Sequence, residues 1–98
     1  MSQYVLSPAA QADNDGIWDY TADQWSIEQA DQYVRLIVNA CASISSDGRE
    51  GRPIPEVRKG YFKLSVRSHF VIFRLVAGEV DIVRILHQRM DIPGRLEG

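Results

Sequence analysis

Tyr61-Phe62-Lys63-Leu64-Ser65-Val66-Arg67 alternates apolar and polar residues, with Phe62, Leu64 and Val66 on one face. A period of two is the signature of a half-buried strand. The next run, His69 to Val76, is richer in apolar residues (Phe70, Val71, Ile72, Phe73, Leu75), as a central strand covered on both faces would be. Ser68 marks a tight turn between the two, and Ala77-Gly78-Glu79 marks the next. Val80-Asp81-Ile82-Val83-Arg84-Ile85-Leu86-His87 reads as the last strand. Turns this short make successive strands antiparallel, so residues 61–87 form a three-strand meander.

Upstream the period changes to that of a helix. Ser26-Ile27-Glu28-Gln29 fits a capping box, in which Gln29 reaches back to the Ser26 amide. Ile27, Ala30, Val34, Ile37, Cys41 and Ile44 then recur every three or four residues, one continuous apolar stripe. Before it, Ser7 can cap a helix and Pro8 suits a first helical position. Ala9 to about Ala22 reads as that helix, with Asp13, Asp15 and Asp19 exposed and Asn14 and Gly16 interrupting its apolar face. The short link Asp23-Gln24-Trp25 makes the two helices an antiparallel hairpin. Tyr4-Val5-Leu6 is a brief strand, residues 45–60 with three glycines and two prolines a long loop, and Met90 to Gly98 an irregular or single-turn tail. The expected class is α+β: an N-terminal strand and a helical hairpin packed on a small, mainly antiparallel sheet.

Ninety-eight residues suit one domain, 1–98, with its core at about 4–91. A 45% apolar content and a net charge of −2 exclude disorder as the main state. The single cysteine, Cys41, excludes an internal disulfide and a paired-cysteine zinc site; on the buried stripe it reads as a packed small hydrophobe. No apolar run approaches the ~18 residues of a membrane span, and residues 1–5 lack a secretory pattern, so the cytoplasm is the expected compartment. The charge is polarised. Residues 1–48 hold seven acidic side chains against Arg35 alone, whereas residues 49–98 hold ten basic against six acidic. Each half could simply solvate its own elements, or the basic half could face an acidic partner.

Other residues hold possible chemistry. Tyr33, Leu36 and Ala40 form a second apolar line on the second helix, either covered by the first helix or left as a groove for a partner. Trp18, Tyr20 and Trp25 read as core or hairpin aromatics. His69 and His87, far apart and without clustered carboxylates, do not suggest a metal site. His87, Glu56, Arg67, Arg74, Arg89 and Tyr61 supply the residue types that metal-independent RNA cleavage needs, so composition does not exclude a nuclease.

Taken in order, Leu6-Ser7-Pro8-Ala9-Ala10, Ile17-Trp18-Asp19-Tyr20, Gly51-Arg52, Glu56-Val57-Arg58-Lys59-Gly60-Tyr61, His69-Phe70-Val71-Ile72-Phe73-Arg74 and Ile82-Val83-Arg84-Ile85-Leu86-His87-Gln88-Arg89-Met90-Asp91 resemble the ParE branch of the ParE/RelE toxin superfamily. Asn14 and Gly16 stand where that family usually places larger apolar residues. The resemblance implies a bacterial type II toxin that binds and stalls DNA gyrase, is neutralised by a ParD-type antitoxin, and is not an enzyme. It implies no cofactor and no direct nucleic-acid or membrane binding. RelE-branch relatives instead cut messenger RNA on the ribosome, and usually carry a basic residue where this chain has Phe70. A RelE-like ribosome-dependent mRNA endonuclease, or a member with weak or no toxicity, is the alternative. The target-binding residues expected are Arg84, His87, Arg89 and Met90; those expected to bind the antitoxin are Tyr33, Leu36, Ile37, Phe62 and Leu64.

Overall fold

The computed structural model describes residues 4–96; the reading of residues 1–3, 97 and 98 lies outside them. Ser7 opens the first helix, its Oγ accepting from the Ala10 amide at 3.0 Å, with Pro8 at the first helical position. The elements are β1 (Tyr4–Leu6), α1 (Pro8–Gln24), α2 (Ile27–Ala42), β2 (Arg52–Pro53), β3 (Tyr61–Val66), β4 (His69–Val76), β5 (Glu79–His87) and α3 (Ile92–Leu96). One sheet runs β1-β5-β4-β3-β2. The meander is antiparallel, β2 joins β3 antiparallel, and β1 lies parallel to β5.

The turns follow from backbone conformation. Ala77 and Gly78 both take positive φ (51° and 80°), the pattern of a two-residue hairpin whose twist matches its strands. Arg67, in the other hairpin, also sits at positive φ (56°).

Each sheet face has its own core. On the helical face Ala10, Ile37, Cys41 and Ile44 meet Val71, Phe73, Ile82 and Ile85. Burial pushes the Cys41 thiol up to about 12, which keeps it an inert packed group. On the far face Ile54, Tyr61, Ile72, Leu86 and Leu96 pack together, covered by the 54–57 turn and α3. Val71 and Phe73 face one layer and Ile72 the other, as expected for a strand covered on both sides.

Four expectations change. Ile27 is 63% exposed, and nearby Trp25 at the hairpin tip is exposed too; the buried part of α2 runs through Ala30, Ile37 and Cys41. Half of the capping box forms: Ser26 Oγ accepts from the Gln29 amide at 3.0 Å, while the Gln29 side chain lines a groove described below. The 45–60 loop contains β2, and its backbone passes so close to Phe73 at Gly51 that a Cβ there would come within 2.6 Å of the ring. Asp13 is not a solvated helix residue; its carboxylate is held against β5.

Candidate functional site

β5 places His87 directly opposite His69 of β4. Their rings meet edge to face, centroids 5.2 Å apart. Tyr33 of α2 reaches across, its hydroxyl bonding His69 Nδ1 at 2.6 Å and accepting from the Ser68 amide at 3.2 Å. These contacts fix α2 to the β3–β4 turn. The Arg89 amide donates to His87 Nδ1 at 3.1 Å, which leaves the proton of the neutral ring at Nε2. The Met90 amide donates to the His87 carbonyl at 2.9 Å. The chain thus turns sharply after β5, leaving Arg89 exposed and Met90 42% exposed.

A groove of about 820 Å³ opens beside this cluster, lined by Trp25, Tyr33, Leu36, Arg67, His69 and His87 among others. Tyr20 and Trp25 also line it and are 66% and 71% exposed, so these two aromatics are surface groups and not core. Trp18 is held by its Nε1 donating to Asp31 at 2.8 Å. A second groove of about 430 Å³ continues along α2 between Leu36, Ala40, Leu64 and Val66. Leu36 and Arg67 belong to both grooves. The first helix therefore does not cover the second apolar line.

His69 is held below its ordinary value, first by burial, then by the neighbouring His87, with Asp13 opposing. The folded chain takes up this proton less readily than the unfolded chain. The stability His69 contributes is therefore present above about pH 6.5 and is lost as the pH falls below that value. Urea midpoints should be lower at pH 5.5 than at pH 7.5, and His69→Asn should narrow the gap. An unchanged gap in His69→Asn would remove His69 from this role.

The model of the family described as ParE toxin of type II toxin-antitoxin system, parDE, matches residues 4–92. The chain belongs to the ParE toxin family. It is 47% identical to Toxin ParE1 of Mycobacterium tuberculosis, over 97% of this chain and 98% of that protein. It is 38% identical to Toxin ParE1 of Caulobacter vibrioides, over 98% and 99% of the two. Among solved structures it resembles one described as the chromosomal ParDE TA system from P. aeruginosa, with TM-score 0.76, 25% identity, and 89% and 96% of the two chains covered. A YoeB-YefM complex from Staphylococcus aureus shares the fold alone, with TM-score 0.56, 15% identity, and 90% and 98% covered.

Within this ParE fold the expected site residues separate. His87, Arg89 and Met90 sit together at the end of β5. Arg84 does not join them: Asp13 holds its Nε and Nη2 at 2.7 and 2.8 Å, and its Nη1 donates to the Arg95 carbonyl at 2.8 Å. Tyr33, Leu36 and Leu64 line the grooves. Ile37 is fully buried and has no surface to offer a partner. Phe62 stacks on Phe73 at 5.1 Å, on the inner side of β3.

The nuclease-type residues divide: His87 and Arg89 adjoin at the end of β5. His87 and Arg67 share the larger groove. Tyr61 is buried in the far-face core under the Arg58 guanidinium, and Arg74 is paired with Asp81 at 2.7 Å. Among the described residues no group of three or more His, Cys, Asp or Glu could hold a metal ion, and no helix is long and apolar enough to cross a membrane. Sequence reasoning missed Asp13 and placed Arg67 only among nuclease cations. Positive φ in a two-residue turn is not written in the residue name Arg, so the sequence held no signal for the latter.

Proposed function

We propose that this chain is the toxin of a type II toxin–antitoxin pair, acting in the cytoplasm by binding DNA gyrase and neutralised by a ParD-type antitoxin. Membership of the ParE family along residues 4–92 carries the reading. Two exposed surfaces that adjoin at His87 support it. The grooves along α2 suit an antitoxin segment, and the turn bearing Arg89 and Met90 suits a protein target. Arginine favours protein interfaces because its planar fork pairs carboxylates and stacks on aromatics. Methionine adds an adaptable apolar contact. Action by binding, without hydrolysis, fits a site from which Tyr61 and Arg74 are withdrawn, one into the far-face core and the other onto Asp81.

Expression of the chain alone should arrest growth, and co-expression of the adjacent antitoxin frame should restore it. Purified protein should inhibit gyrase supercoiling and leave ribosome-bound messenger RNA intact. Specific mRNA cleavage that disappears in His87→Ala would instead assign the chain to the ribonuclease branch. Normal growth under verified soluble expression would leave a member of weak or no toxicity.

A further inference from the structure

The two grooves along α2 meet at one residue of the β3–β4 turn. Arg67 lines both, and Leu36 faces it from the helix. Together they form a trough from Gln29 to Ser43, about 21 Å of helix at ~1.5 Å per residue. One end is apolar, with Ala40, Leu64 and Val66. The other is aromatic and imidazole-lined, with Trp25 and His69. No carboxylate among the described residues lines either part, although the chain as a whole carries 13 acidic side chains. Among the described residues the Arg67 guanidinium also forms no ion pair, unlike those of Arg49, Arg74 and Arg84.

The backbone adds an independent observation. Arg67 holds φ at 56°, a region where a side chain is strained and glycine is not. Two-residue hairpins of this kind favour Gly or Asn at such a position. The turn is nonetheless fixed. Gln88 Nε2 donates to the Arg67 carbonyl at 2.8 Å, and the Gln88 amide donates to the Ser68 carbonyl at 2.9 Å. A charged side chain is thus held on a rigid, strained turn at the midpoint of an otherwise acid-free trough.

We propose that Arg67 is the charge-reading residue of the antitoxin trough, pairing a carboxylate that the antitoxin segment carries between apolar side chains. The inference rests on the antitoxin reading above. The apolar neighbours of that carboxylate occupy the Ala40–Leu64 end and the Trp25 end, and the acid sets the register between them.

Arg67→Gly separates the role from the fold, because glycine suits the turn. Its melting temperature should equal or exceed that of the parent. Its affinity for the adjacent-frame antitoxin, measured by calorimetry on purified proteins, should fall about tenfold or more. The parent's affinity should weaken with salt more steeply than the variant's, and Arg67→Lys should recover part of the loss. Neutralising the antitoxin's acidic residues one at a time (Asp→Asn, Glu→Gln) should reveal one whose loss weakens binding to the parent but not to Arg67→Gly. Affinity and salt dependence unchanged in Arg67→Gly would overturn the proposal while leaving the antitoxin reading intact. Absence of any complex with the parent chain would overturn both.

Discussion

Replacing Asp13 by alanine should cost about 3 kcal/mol, at the lower end of what breaking a buried ion pair costs because Arg84 keeps some water contact. The reason lies in how β5 is built. β4 and β5 shift register between Ile72 and Phe73, so Val83 is an extra residue in β5. On the other side β1 ends at Leu6 opposite Ile82, and Ser7 covers the next carbonyls through its amide and Oγ. Beyond that point β5 has no strand beside it, and the Ile85 amide would be orphaned. Asp13 takes the place of the missing strand. Its Oδ2 accepts from the Ile85 amide at 3.0 Å and from Arg84 Nε, while Oδ1 accepts from Arg84 Nη2. Removing the carboxylate strands a partly buried guanidinium and a strand amide together, and loosens the contact between Arg84 and the α3 carbonyl of Arg95. For a chain of this size the melting temperature should drop by about 15 °C. Asp13→Ala with Arg84→Met should be less damaging than Asp13→Ala alone, since no unpaired charge remains. A loss below about 1 kcal/mol in chemical denaturation would show that water replaces the carboxylate without penalty.

Asp13 also shows where the sequence stops being legible. Periodicity depends on which face a residue occupies, so the meander, the helical hairpin and the two-sided β4 could all be read from it. An aspartate in the first half of a helix looks solvated by the same rule; its partners, the Ile85 amide and Arg84, come from a stretch of β5 that β1 leaves uncovered, and that leaves no periodic trace. Arg84 shows the complementary limit. Its place in a strongly family-like segment suggested a target contact, whereas Asp13, 71 residues away, holds it in place. Ile37 lay on the stripe that identified α2, and that same regularity buries it completely. What covers the far face was not legible, because the cover comes from the irregular 54–57 turn and a one-turn helix. The grooves were partly visible, since Tyr33 and Leu36 form a line too wide for a small sheet to cover.

The Arg89→Ala, Met90→Ala double variant should no longer arrest growth, while keeping its melting temperature and antitoxin affinity nearly unchanged. The turn that presents these side chains is held by main-chain groups: the Arg89 amide on His87 Nδ1 and the Met90 amide on the His87 carbonyl. Alanine retains both bonds, so the backbone should stay in place. Among the described residues the Arg89 guanidinium has no carboxylate partner, and Met90 is 42% exposed, so truncation removes little from the fold. What it removes is a cation and an apolar contact on a rigid strand end, where geometry is fixed before binding. An anchor of this kind typically costs ~2 kcal/mol or more on truncation, about thirtyfold in affinity. Neither residue lines the trough along α2, so antitoxin binding and target binding should separate in the two variants. Arg67→Gly should weaken neutralisation; the double variant should weaken toxicity. Full toxicity of a soluble, folded double variant would place the target surface elsewhere, on the 45–60 loop or the exposed tip of the helical hairpin.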